Sequence, residues 1–73
     1  YEIVLELWQK AVNQDPQNIQ YRFSLAAAHL QLGHRQQSIK TLEEAIQIDP
    51  RIREQAEHLI AEIRAGRNPT AGN

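Results

Sequence analysis

The stretch that decides the fold is DPQNIQYRFSLAAAHLQLGHRQQSIKTLEEAIQIDP, residues 15–50. Two Asp-Pro pairs bracket it, Asp15-Pro16 and Asp49-Pro50, 34 residues apart (50 − 16 = 34). Proline lacks the N–H that the helix ladder needs and pushes the residue before it out of the α region, so each pair stops a helix. Between the pairs a single glycine, Gly33, separates two helical patterns. The unit reads as helix–turn–helix, at a period known from stacked repeats.

The first half of the unit, residues 19–32, carries Phe23, Leu25, Ala26, Ala27, Ala28, Leu30 and Leu32 almost all round its circumference. That pattern predicts a buried central helix. Asn18 fits its N-cap, because an amide oxygen can accept from the free N–H groups of the first turn. The three alanines are small enough for another helix to approach closely. Gly33 is expected to end the helix in the left-handed region, which glycine enters without a Cβ clash. In the second half, residues 35–48, Ile39, Leu42, Ala45 and Ile46 form a stripe of about 120°, the mark of a helix covered on one side.

Working outward, residues 2–14 form another helical pattern. Ile3, Val4, Leu5, Leu7, Trp8, Ala11 and Val12 cover an arc of roughly 200°, against about 100° for an ordinary surface helix. This helix is expected to be covered from two directions. Glu6 and Lys10, four residues apart, are expected to pair on its wet side. In the other direction residues 50–65 form a fourth helix, with Asp49 as its cap and Pro50 at its first position, where a missing N–H costs nothing. Ile52, Ala56, Leu59, Ile60 and Ile63 make one apolar stripe, and the opposite face is charged, as the end of a stack requires. Gly66 closes the helix. Residues 67–73 have nothing to bury and are expected to be disordered.

With 73 residues the chain is one domain with a modest core. A formal net charge of −1 gives no basic field to hold a nucleic-acid backbone. The absence of cysteine excludes disulfides, thiolate nucleophiles and zinc–thiolate sites. No apolar run nears the roughly 20 residues that span a bilayer. Because the chain opens on Tyr1 in mid-helix, it reads as a segment of a longer protein.

Residues 17–50 resemble a tetratricopeptide repeat. The resemblance rests on Leu25-Ala26, His29, Gly33, Ser38-Ile39, Leu42, Ala45-Ile46, Ile48 and Asp49-Pro50. It extends in register to both sides. Residues 1–14, with Trp8 in the aromatic slot and Ala11 in the small one, resemble the second helix of a preceding repeat. Residues 51–66 resemble a C-terminal capping helix. His29 and Leu42 stand where the family usually has an aromatic residue. Arg22 stands where it usually has a bulky aromatic packing residue, so a looser contact is expected there. The resemblance implies an all-α fold over residues 1–66: an antiparallel helix–turn–helix stack of about four helices forming a piece of right-handed superhelix. It also implies a scaffold for protein–protein contacts rather than an enzyme, with no cofactor.

In stacked repeats of this family the first helix of each hairpin lines the concave groove. Carried onto this chain, the groove set is Gln20, Phe23, Ser24, Ala27, Leu30 and Gln31, with Glu54, Glu57, His58 and Ala61 from the fourth helix. These positions lack the Lys, Arg and Asn with which some members hold acidic peptide tails. An apolar floor of Phe23, Ala27 and Leu30 suits a hydrophobic peptide or helix of a partner protein better. The alternative is a self-associating segment, with residues 1–14 of a second copy covering the wide apolar arc as a homodimer. A catalytic constellation of nucleophile, base and orienting group is not visible. Glu54, His58 and Glu62 stand at four-residue steps and together resemble a weak metal-binding row. A solvated polar face accounts for them without a metal.

Overall fold

The computed structural model describes residues 2–66. The expected disordered tail, residues 67–73, lies outside the described residues, as does Tyr1. Four α-helices follow one another: α1 (Glu2–Gln14), α2 (Ile19–Gln31), α3 (Arg35–Ile48) and α4 (Arg53–Arg64), the last preceded by a 3-10 turn over Pro50–Ile52. No strand occurs among the described residues. The fold is an all-α stack of antiparallel helices.

The punctuation read from the sequence has a local cause at each joint. Asn18 caps α2, its side chain accepting from the Tyr21 N–H at 3.2 Å. After α2, Gly33 takes φ +78°. The His34 N–H donates back to the His29 carbonyl at 2.8 Å, and the Gly33 N–H to that of Leu30 at 3.0 Å. This pair of bonds is the Schellman closure, which satisfies carbonyls that the helix end leaves open. α2 therefore stops one residue earlier than expected, and Leu32 belongs to the turn. At the next joint the fourth helix starts differently from its expectation, in 3-10 rather than α geometry. The Asp49 carboxylate accepts from the Arg51 N–H at 3.1 Å, and the Ile52 N–H reaches the Asp49 carbonyl at 3.1 Å. An i→i+3 bond is the 3-10 link, so the cap itself tightens the first turn.

Consecutive helices pack in series, α1 on α2, α2 on α3 and α3 on α4. The main core joins Ala26 and Leu30 of α2, Leu42 and Ile46 of α3, and Ala56, Ile60 and Ile63 of α4. Small residues set the spacing. The hydroxyl of Ser38, 1% exposed, donates to the Ala26 carbonyl at 2.9 Å, which holds α2 and α3 at close range. The molecule measures 32 × 30 × 19 Å. Its thinnest dimension is two helix diameters of about 10 Å.

Arg22 corrects one expectation. Its side chain is only 14% exposed and makes no loose contact. The guanidinium donates to the Pro16 carbonyl at 3.0 Å and meets a Glu44 carboxylate oxygen at 3.2 Å. An arginine thus replaces ring packing with charged hydrogen bonds, tying the α1–α2 turn to α3.

α1 is the least anchored helix. Val12 is its one buried residue, and Trp8 leans half-buried on Tyr21 with ring centroids 5.8 Å apart. On the other side of its apolar arc Ile3 is 74% exposed, Leu7 60% and Val4 40%. One of the two directions of cover expected for this helix is therefore supplied by α2, and the other is open. Glu6 and Lys10 do not make the ion pair expected of them. In water the Coulomb gain of such an exposed pair barely offsets the side-chain entropy it costs.

Candidate functional site

α2 and α4 line one cleft across α3. Phe23, Ala27 and Leu30 of α2 share a shallow cleft with Leu59 and Ile63 of α4, and Leu42 of α3 forms its floor. The cleft encloses about 30 Å³, close to the volume share of one liquid water. Its walls are almost wholly carbon. Phe23, Ala27 and Leu59 remain half-buried, so an apolar strip faces solvent along the α2–α4 seam.

The structure divides the groove set read from the sequence. Phe23, Ala27 and Leu30 come together in the cleft. Gln20 is exposed two turns before Ala27 on the same face of α2 and does not line the cleft, and Ser24 and Gln31 are half-buried outside it. Glu54 and His58 are exposed on α4. Glu57 and Ala61 lie elsewhere. They line a second, wider groove of about 590 Å³ between α3 and α4, with Lys40, Glu43, Arg53 and Arg64. The reason is helical phase. Two residues advance a helix by about 200°, so Glu57 and Ala61 point away from the side on which Leu59 lines the cleft with α2.

Leu59 and Ile63 are the α4 cleft residues that the groove set omitted, beside Ala26, Ser38 and Leu42 from the other two helices. Their signal was present in the α4 stripe, since stripe residues on the α2 edge must line any cleft shared with α2. Four charges of the second groove are tied in exposed pairs, Arg53–Glu57 at 3.5 Å and Arg64–Glu43 at 3.7 Å. Such pairs contribute at most about 1 kcal/mol each.

Two buried hydroxyls are engaged structurally. The Thr41 hydroxyl donates to the Gln37 carbonyl at 2.8 Å, as Ser38 does to Ala26. Among the described residues no buried side-chain polar atom lacks a partner. His58 lies 3.8 Å from Glu62, but no group of three or more His, Asp or Glu side chains converges among the described residues.

The two remaining histidines form a pair. His29 Nδ1 and His34 Nδ1 are 3.4 Å apart, with ring centroids at 5.6 Å. They sit at the two positions of the Schellman turn whose side chains naturally meet. Burial, and after it the charge of His34, hold the His29 imidazole below its usual range. Asp49 is held below the usual carboxylate range by its hydrogen bonds to the Arg51 side chain and backbone.

No family model, curated protein or solved structure matches the chain. Among the described residues no helix is long and apolar enough to cross a membrane.

Proposed function

We propose that this chain is a protein–protein interaction module, a tetratricopeptide-like stack that lays a peptide or helix of a partner protein along the α2–α4 seam. The observation that carries the reading is the half-exposed apolar strip of Phe23, Ala27 and Leu59 over a closed carbon floor. A cleft of about 30 Å³ is far below the roughly 300–1,000 Å³ of small-molecule pockets. It takes the tip of one aliphatic or aromatic side chain, and the strip beside it takes the rest of an apolar helix face. The near-zero net charge of −1 argues for a protein partner over a nucleic acid.

The test is selection of a binding peptide from a random library, followed by titration monitored by backbone amide NMR. The expected peptide is apolar and shifts the amides around Phe23, Ala27 and Leu59. Phe23→Ala weakens its binding by about tenfold or more, as loss of an aromatic anchor does. Shifts confined to the α3–α4 groove, or unchanged affinity in a folded Phe23→Ala variant, refute the reading.

A further inference from the structure

The uncovered side of α1 lies on a different face from the α2–α4 cleft. We propose that it pairs with the same face of a second copy of this chain, antiparallel, about a two-fold axis passing beside Leu7. Three observations converge on that occupant.

The first is the open apolar ridge itself. Ile3, Leu7 and Ala11 follow one another at four-residue steps on one side of α1, and Ile3 and Leu7 are 74% and 60% exposed. A contiguous exposed apolar strip on a helix is the kind of surface that association removes from water.

The second is size. An antiparallel copy centred on Leu7 sets Ile3 of one copy against Ala11 of the other, and the reverse at the opposite end. Large meets small twice, which lets the two helices close on each other.

The third is charge. Glu6 and Lys10 are exposed, and neither takes part in an ion pair among the described residues. Helical phase puts both on the same flank of the ridge, Lys10 about 20° and Glu6 about 60° from Ile3. The opposite flank is occupied, because Trp8 lies there against Tyr21 of α2. A two-fold antiparallel pairing brings a flank against itself, so Glu6 of each copy faces Lys10 of the other. Along the axis each Glu6 lies two residues, about 3 Å, from Lys10 of the other copy and as far from its Glu6, while the two Lys10 are about 9 Å apart, so two attractions stand against one close repulsion. A parallel pairing would instead set this flank against the side held by Trp8 and α2, leaving both charges unmatched. One helix face is smaller than the roughly 800 Å² per partner of a standard interface, so the dimer forms weakly and at high concentration.

Sedimentation at about 10 µM and about 1 mM tests this, since dimerisation is governed by mass action. The wild type moves from monomer to dimer over that range. Leu7→Glu stays monomeric throughout, with its helical circular dichroism kept because the side chain is mostly solvent-facing. Lys10→Glu weakens the dimer by about tenfold, one charge reversal counted twice by symmetry. The double swap Glu6→Lys, Lys10→Glu restores it to within a few-fold, because the flank is self-complementary again. If Leu7→Glu loses helicity, the charge series alone decides. A wild type that is monomeric at the higher concentration overturns the proposal. So does a dimer indifferent to the Lys10 reversal, or a double swap no better than the single one.

Discussion

At Gly33 the backbone turns through φ +78°, and a Cβ built there would meet nothing within 4 Å. The residue is glycine for conformation and not for space. Gly33→Ala is therefore expected to destabilise the fold by about 1–2 kcal/mol, the left-handed penalty for an L-residue, with no added clash. Gly33→Asn costs less, because asparagine tolerates that region. Urea unfolding of the two variants checks the order, and equal losses would mean that something other than backbone handedness is at stake. The His29–His34 contact makes a second prediction at this scale. The two Nδ1 atoms, 3.4 Å apart, share a hydrogen bond only when one ring donates and the other accepts. Arg22, Lys40 and Glu44 line the same groove as His29. The folded state holds the His29 imidazole below its usual range, so the unfolded chain binds more protons as pH falls through and below about 6.5. This stabilising contribution is complete above that value and is lost as pH drops through the lower, folded-state value. The urea midpoint should fall between about pH 7 and pH 5, and His29→Gln should flatten the decline. An undiminished slope in the variant would remove His29 from the account.

Among the elements, α1 stands apart. α2, α3 and α4 share one core, while α1 leans on α2 alone and buries a single residue, Val12. Local opening costs least where few apolar contacts are lost. The amides of α1 in the monomer should exchange at least about tenfold faster than those of α3, measured by hydrogen exchange at low concentration. Equal protection in the two helices would contradict the idea of a loosely held first helix. Element existence and punctuation were legible from residue order, because capping and termination are local chemistry. Asn18, Gly33 and Asp49 act within a few residues of themselves. The 3-10 start of the fourth helix was not legible. It depends on the Asp49 carbonyl being close enough to receive the Ile52 N–H once the carboxylate has taken that of Arg51.

For the molecule as a whole, the series α1–α2–α3–α4 produces two faces with different prospects. One is the carbon-walled seam of Phe23 and Leu59, and the other is the open ridge of Ile3 and Leu7. Residue order alone determined the number of helices, their limits to within a few residues, and the surplus of apolar surface on α1. Each follows from periodicity along a single helix. Only the tertiary structure decided which side of α4 faces α2, and so that Leu59 and Ile63, not Glu57 and Ala61, close the seam. It alone showed Arg22 bridging the Pro16 carbonyl and Glu44, and His29 meeting His34. The reason is physical. A helix wheel gives the width of an apolar stripe but not the angle at which a neighbour crosses it, and long polar side chains find their partners only after the backbones have been placed.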